Sequence, residues 1–134
     1  MSLNDEQRLD MVNKYIDMSD MMWDEAEAAY SLQKWSMTAN RMYYAVLNAF
    51  RGLLLLDGHP THSHDGVKRL VGQYYVLTEK ISDSEGKLYS QLENMRNRAD
   101  YDCFFRVSEN DVVEKFEKSK QLINKIKKLI SNGI

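Results

Sequence analysis

The sequence predicts an all-α protein, an antiparallel up-and-down bundle of four long helices and one short helix. The stretch from Thr38 to Gly58, wound at 100° per residue, has an apolar face wider than a half-circle, so it must lie inside a bundle. One proline, six glycines and no extended Val/Ile/Thr alternation disfavour a sheet. The breaks between helical segments are short, and short connections place neighbouring helices antiparallel.

The first predicted helix begins after Asn4 and ends near Gln33. Asn4 is a favourable N-cap, and Gln7 follows three residues later, as in a capping box. Apolar or small residues then recur at steps of three and four: Leu9, Val12, Ile16, Ser19, Trp23, Ala26 and Tyr30. This spacing predicts a long helix with one buried side.

The second helix follows a short break at residues 33–36 and ends at residues 57–60. Gly58 can adopt the left-handed C′ conformation, and Pro60 cannot continue the hydrogen-bond ladder. Four polar residues share one edge of this helix: Arg41, Tyr44, Asn48 and Arg51. Their spacing of three and four lines them up, and we expect the function to depend on what faces this edge.

A shorter third helix is predicted from His64 to Thr78. Its inward-facing residues are Val67, Leu70, Val71, Tyr74 and Leu77. Gly66 and Gly72 weaken this helix unless another part of the protein packs closely against them.

Capping boxes open the last two helices. Ser82 with Glu85 begins the fourth, which ends near Cys103, and Ser108 with Asp111 begins the fifth. The fourth helix buries Leu88, Leu92, Met95 and Ala99. The fifth has a sustained seam of Val112, Phe116, Ser119, Ile123, Ile126 and Ile130.

Composition and charge narrow the class of protein. Residues 1–134 suit a single domain, and a net charge of −2 argues against a DNA-coating protein. The polar start has no secretory apolar region, and the longest apolar tract is far shorter than the roughly 20 residues of a membrane span. We therefore expect a cytoplasmic protein without membrane contact, in which the single cysteine, Cys103, is a small buried side chain.

Conventional enzyme and metal motifs are missing from the sequence. It has no Gly-rich phosphate loop, no Glu-x-x-His pair for a di-iron site and no acyl-transfer triad. His59, His62 and His64 form a H-x2-H-x-H run that can in principle bind zinc, but no cysteine or carboxylate is preset beside them. We interpret them as solvated loop residues, with His64 near the start of the third helix, and predict no metal and no cofactor.

The end of the fourth helix carries the residues best suited to ligand binding, from Arg96 to Cys103. In one interpretation Arg96 and Arg98 form surface ion pairs with the acidic residues four positions later. In the other, both arginines and those of the second helix, Arg41 and Arg51, hold phosphate oxygens while Tyr44 or Tyr101 stacks on a base.

At these residues the chain resembles the HEPN family, the higher eukaryotes and prokaryotes nucleotide-binding domain, from about Tyr30 to Ile130. Residues 39–45, Ala-Asn-Arg-Met-Tyr-Tyr-Ala, resemble its Ala-x-Arg-x-Tyr-Tyr-Ala run. Residues 64–67, His-Asp-Gly-Val, resemble its His-Ser-Gly-Val turn, and residues 96–101, Arg-Asn-Arg-Ala-Asp-Tyr, resemble its Arg-x-x-Ala-Asp-Tyr run.

The resemblance implies a bundle that dimerises across a cleft between the second and fourth helices. Many members accompany a nucleotidyltransferase in a toxin–antitoxin pair, and active members are metal-independent ribonucleases with an Arg-x4-6-His motif. No histidine follows Arg96 or Arg98 at the required distance, although the polar residue after the arginine is present as Asn97. Tyr101 stands at the first of the expected positions, but a phenol with a pKa near 10 is a poor proton acceptor at neutral pH.

These observations favour a homodimer that binds nucleotide or RNA, partners a nucleotidyltransferase and has weak or no catalysis. The candidate ligand-binding residues are Arg41, Tyr44, Asn48, Arg51 and Arg98, and the candidate catalytic residues are Arg96, Asn97 and Tyr101. A first alternative is a metal-independent endoribonuclease toxin in which Tyr101, or a loop histidine from elsewhere, replaces the missing base. A second alternative is a ligand-free helical accessory whose Arg/Tyr edge forms a dimer interface.

Overall fold

The computed structural model describes residues 3–134, and five α-helices account for most of them. They are α1 (Asp5–Ser31), α2 (Trp35–Leu56), α3 (His64–Val71), α4 (Asp83–Tyr101) and α5 (Glu109–Asn132). A π-helical turn, Gly72–Val76, extends α3. Residues 3–134 contain no β-strand, so the predicted all-α class with four long helices and one short helix is confirmed.

Helix α2 is the centre of the bundle. From Thr38 to Leu55 every residue is buried except Asn40, Arg41, Tyr44 and Arg51, which are partly exposed. α2 packs against all four other helices, so its few accessible side chains mark the places where the neighbouring helices leave a gap.

Contacts between successive long helices show that they are antiparallel. Ser19 of α1 donates its hydroxyl to the carbonyl of Ala45 at 2.7 Å. Nearer the start of α1, Tyr15 lies against Gly52 toward the end of α2. In the same way, Lys125 reaches Glu85 at 2.7 Å, which brings the late part of α5 to the start of α4.

The predicted starts of α1, α4 and α5 and the predicted end of α2 are confirmed by their local geometry. Asn4, Ser82 and Ser108 each accept from the backbone N–H three residues later and close a full capping box. Gly58 has a φ of +85°, the left-handed conformation expected just beyond α2.

The third helix differs from its prediction in the second half. The α-helix ends at Val71, and the next turn is π-helical, with the Leu77 N–H bonded to the carbonyl of Gly72 at 3.0 Å. A π turn adds one residue and rotates everything after it around the helix axis. Tyr75 is therefore buried, and Leu77, which was predicted to face the core, is 79% exposed.

The prediction for Cys103 was wrong. α4 ends at Tyr101, and Cys103 lies in the irregular segment that follows, where its side chain is exposed. Because the helix stops before this position, the apolar stripe of α4 does not extend to the cysteine.

Candidate functional site

An arginine and a tyrosine join α4 to α2 at the partly exposed edge of α2. Arg96 donates from Nη2 to the hydroxyl of Tyr44 at 2.7 Å, and its guanidinium lies 5.3 Å from the centre of the Tyr44 ring. Nη1 donates to the side chain of Asn97 at 2.8 Å, and Nε lies 3.1 Å from Asp100. The Arg96 side chain is only 16% exposed, so these contacts hold it in one orientation.

A histidine and a second tyrosine lie next to this pair. The hydroxyl of Tyr43 and Nδ1 of His64 are 2.9 Å apart, and Tyr43 also reaches Oε2 of Glu93 at 3.5 Å, the long limit for a hydrogen bond. The His64 ring centre lies 6.1 Å from that of Tyr44. We call six of these side chains the Arg96 cluster: Tyr43, Tyr44, His64, Glu93, Arg96 and Asn97.

The first residue of α3 is His64, and local sequence fixes its position. Ser63 is the N-cap of α3, accepting from the backbone N–H of Gly66 at 2.7 Å. Beside this turn, Arg51 of α2 donates to the carbonyl of His62 at 3.0 Å, while its Nε is buried without a partner among residues 3–134. The turn thus brings a second guanidinium close to the cluster.

Burial and the two arginines determine the protonation of the cluster. Burial lowers the pKa of His64, and the charges of Arg51 and Arg96 lower it further, while Glu93 and Asp65 oppose them. The imidazole is therefore neutral at pH 7. Burial, followed by the charge of Glu93, raises the pKa of Tyr43 to about 12, so this phenol keeps its proton and can orient His64.

Only some of the predicted ligand-binding and catalytic residues come together. Tyr44, Arg96 and Asn97 belong to the cluster, and Arg51 lies at its edge. Arg41 instead pairs with Glu25 of α1 at 2.8 Å.

Three other candidate residues lie apart from the cluster or have another role. The guanidinium of Arg98 lies 4.1 Å from the centre of the Phe105 ring, beyond the end of α4. Tyr101 is 81% exposed and has no side-chain hydrogen bond within residues 3–134. Asn48 is buried and donates its amide to the Tyr44 carbonyl at 2.8 Å, so it supports the site from inside the bundle.

Three members of the cluster were absent from the predicted site. The sequence pattern places Tyr43 on the apolar face of α2 and His64 among solvated loop residues, and it gives Glu93 no role. Glu93 stands three residues before Arg96, on the same side of α4, which is the signal that sequence spacing offered. For Tyr43 and His64 the signal was their place in two motifs of the family resemblance.

The three histidines do not come together around a metal. His59 stacks on Tyr74 with ring centres 3.8 Å apart, and His64 faces Tyr43. Within the described part of the chain, no three His, Cys, Asp or Glu side chains are placed to hold a metal ion. Nor is any helix in residues 3–134 both long enough and apolar enough to cross a membrane.

Comparison with known proteins identifies the family. The model of the HEPN domain matches residues 12–129, and this chain belongs to the HEPN family. A UPF0332 protein of Thermotoga maritima is 28% identical over 109 residues, which cover 81% of this chain and 83% of the relative.

Two relatives from Methanocaldococcus jannaschii are both named "Putative toxin". One is 23% identical over 124 residues, covering 92% of this chain and 84% of the relative. The other is 27% identical over 90 residues, covering 67% of this chain and 66% of the relative.

Proposed function

We propose that this protein is a toxin-like HEPN protein that binds the phosphate groups of RNA or of a nucleotide at the Arg96 cluster. The observation that carries the proposal is the contact between Arg96 and Tyr44, because it holds a largely buried guanidinium at an accessible edge between α2 and α4. A guanidinium fixed in this way binds phosphate oxygens with little further loss of side-chain freedom.

The charges around Arg96 favour an anion at the cluster. Arg51 and Arg96 both lie close enough to His64 to lower its pKa, and His64 adds no positive charge of its own at pH 7. Two carboxylates oppose these charges: Glu93, which Lys68 approaches at 3.6 Å, and Asp100, which lies 3.1 Å from Nε of Arg96. The buried Nε of Arg51 has no partner among residues 3–134, so an anion that reached it would also satisfy an unpaired donor.

The rings at this edge suit a nucleic acid better than free phosphate. Tyr44 is partly exposed and lies edge-on to both Tyr43 and His64. An accessible aromatic ring beside a guanidinium can stack on a base while the arginine holds the adjacent phosphate. Single-stranded RNA or a nucleotide therefore fits this edge.

The proposal also includes the oligomeric state and the protein partner. We infer a homodimer that pairs with a nucleotidyltransferase in a toxin–antitoxin-type system, supported by the two relatives named as toxins and by the exposed residues Tyr101 and Phe104 at the end of α4. Light scattering of the purified protein tests the dimer, and co-purification with a nucleotidyltransferase encoded next to it tests the pair.

Fluorescence anisotropy with labelled single-stranded RNA, and competition by a nucleotide, test the binding site. Arg96→Ala should weaken RNA binding by about tenfold or more, since a charge-assisted contact to phosphate is lost. Arg106→Ala is the matched control, because Arg106 is an exposed arginine outside the cluster. Equal effects of the two substitutions would show that binding follows net charge alone and would refute the Arg96 site.

A further inference from the structure

A long groove lies between α4 and α5. Both helices pack on α2 and only marginally on each other, so a space remains between them. Its larger part is a void of about 620 Å³, and a second void of about 260 Å³ continues it toward the end of α4. Gln91 and Lys115 line both voids, so the two form one groove. Along α4 it extends from Ser84 to Arg98, about 21 Å at 1.5 Å per residue.

Basic side chains dominate the walls of this groove. The basic residues that line it are Lys87 and Arg98 of α4 and Lys115, Lys118 and Lys125 of α5. The acidic residues that line it are Glu85, Asp111 and Glu114. The groove is therefore a local positive surface on a protein whose net charge is −2. None of the described residues that line it belongs to the Arg96 cluster.

Two of the three carboxylates are already engaged at the ends of the groove. Glu85 closes the capping box of α4 and pairs with Lys125 at 2.7 Å. Asp111 accepts a backbone N–H at 2.9 Å in the capping box of α5. Between these ends, Lys87 and Lys118 form no ion pair within residues 3–134. One ammonium group on each wall is thus left for an anion from outside the chain.

The other groups of the groove suit an extended peptide. The amide side chains of Gln91, Asn94 and Gln121 line it from both helices. An amide offers both donors and an acceptor, so it can pair with the backbone N–H and C=O groups that an extended chain leaves free. Leu88 and Met95, each 6% exposed, add an apolar surface. At about 3.3 Å per residue, about six or seven extended residues fill the groove.

We propose that the groove between α4 and α5 binds an extended acidic segment of a partner protein. Carboxylates of the segment pair with Lys87 and Lys118, its backbone bonds to the amide side chains, and one apolar side chain of the segment lies on Leu88. The groove is separate from the Arg96 cluster, so this inference goes beyond the proposed function and does not depend on it.

A nucleic acid matches the same groove poorly. The described residues that line the larger void include no aromatic side chain, so a base has no ring to stack on. Phe105, at the far end, lies under the guanidinium of Arg98 at 4.1 Å. Glu114 has no ion-pair partner in the described part of the chain and repels phosphate. A peptide can place an uncharged residue beside Glu114, whereas every nucleotide carries a phosphate.

Fluorescence anisotropy of the full-length protein with a synthetic peptide tests the groove. The probe is a labelled peptide of about seven residues, in which glutamate and serine alternate around one leucine. The matched probe has glutamine in place of each glutamate. We expect the acidic peptide to bind about tenfold more tightly than the glutamine peptide, and this preference should shrink as salt is raised.

Charge reversal on the two walls locates the bound peptide. Lys118→Glu should weaken binding of the acidic peptide about tenfold, because an attraction becomes a repulsion. Lys120→Glu is the matched control, since Lys120 is also exposed on α5 and lines the space between α5 and α1 instead. The double variant Lys87→Glu/Lys118→Glu should prefer a peptide in which lysine replaces each glutamate.

NMR spectra locate the peptide without any substitution. The side-chain amide signals of Gln91 and Gln121 should shift when the acidic peptide is added, whereas those of Gln7 at the start of α1 should not. The substituted lysines are all exposed, and circular dichroism checks the fold of each variant. If Lys118→Glu does not fold, Lys118→Gln replaces it, with an expected loss of about threefold.

The outcomes separate this inference from the proposed function. No binding of the acidic peptide, equal binding of the two peptides, or equal effects of Lys118→Glu and Lys120→Glu overturn the groove and leave RNA binding at Arg96 untouched. RNA binding that Lys118→Glu weakens as much as Arg96→Ala assigns the groove to nucleic acid and overturns the partner segment. Self-association that is lost in Lys118→Glu makes the occupant a second copy of this chain and also overturns it. Peptide binding that requires Lys118 but not Arg96, with the reversed preference of the double variant, supports the inference.

Discussion

Arg96 of α4 donates to the hydroxyl of Tyr44 on α2 at 2.7 Å, and this contact defines which arginines can act together. The sequence predicts that four arginines of α2 and α4 meet in one hollow. Arg96 and Arg51 both lie near His64. By contrast, Arg41 forms an ion pair with α1, and the guanidinium of Arg98 lies over the Phe105 ring. The candidate site is therefore a two-arginine site organised around a tyrosine pair.

Tyr44→Phe should destabilise the protein and weaken RNA binding. The substitution removes the acceptor of a largely buried guanidinium, and a hydrogen bond to a charged group contributes about 1.5–3 kcal/mol. We expect urea unfolding to show a loss of roughly 1.5 kcal/mol, and RNA affinity to fall severalfold because Arg96 is less well oriented. Tyr101→Phe, which removes an exposed hydroxyl without a hydrogen bond within residues 3–134, should change neither quantity.

A double-mutant cycle separates the contact from the general effect of each substitution. The double variant Tyr44→Phe/Arg96→Ala should lose less free energy of unfolding than the sum of the losses in the two single variants. The difference should be about 1 kcal/mol. Additive effects would mean that the hydrogen bond between the two side chains contributes nothing to stability.

The stability of the fold should decrease as the pH falls below the pKa of an unfolded histidine, about 6.5. The pKa of His64 is lowered in the folded protein by burial and by two arginines. Between that lowered pKa and about 6.5 the unfolded chain binds a proton that the folded chain does not, so acid favours unfolding. The contribution of neutral His64 to the stability of the fold is present in full above about pH 6.5. It is lost as the pH falls through the lowered pKa of the folded state.

Melting temperatures measured from pH 5 to pH 7.5 check this linkage. His64→Asn should flatten the acidic slope, and His59→Gln is the control, because His59 stacks on Tyr74 outside the Arg96 cluster. An unchanged slope in His64→Asn would show that other groups account for the loss of stability in acid.

The fold could be predicted from the sequence because its signals are local. Capping residues, steps of three and four, and Gly58 determine where helices begin and end over one or two turns. The π turn at Gly72–Val76 could not be predicted, since it depends on Tyr75 reaching Asp57 from the end of α2. Leu77 faces solvent for the same reason.

The site could be predicted only in part. Helical spacing predicts which residues share an edge of a helix, but it does not predict which neighbouring residue each side chain contacts. Arg41 and Arg51 share an edge of α2, but one contacts α1 and the other the loop before α3. His64 lies in the cluster because of the conformation of that loop. The hydrophobic periodicity of the sequence does not predict this conformation. Its N-cap, Ser63, was not identified in the sequence either.

Tyr75→Phe should destabilise the π turn and leave the Arg96 cluster unaffected. The Tyr75 ring is buried, and its hydroxyl donates to Asp57 at 2.7 Å. Because Asp57 is exposed and can be hydrated in the variant, we expect a loss of only about 1 kcal/mol in urea unfolding. Tyr74→Phe is the matched control, since the Tyr74 hydroxyl has no hydrogen bond within residues 3–134, and a loss of equal size there would contradict the role of the Asp57 contact.

Gly66→Ala and Gly72→Ala should have opposite effects, although both glycines lie in the same helical segment. A Cβ at Gly66 would overlap Oγ1 of Thr61 and lie 2.9 Å from Oγ of Ser63, the N-cap of α3. The loop before α3 must shift to accept it, and we expect a loss of about 1 kcal/mol, the usual contribution of an N-cap. A Cβ at Gly72 would meet no atom within 4 Å, so alanine there should be neutral or stabilise by about 0.5 kcal/mol.

The Gly66 substitution also reports on His64, because the displaced loop carries the imidazole. Gly66→Ala should move the NMR signals of the His64 ring and raise its pKa toward the ordinary value as burial is lost, while Gly72→Ala should leave both unchanged. If Gly66→Ala destabilises the protein but leaves the His64 signals in place, α3 tolerates the shift without moving its first residue. The Ser63 cap would then not be what positions the imidazole beside Tyr43 and Arg96.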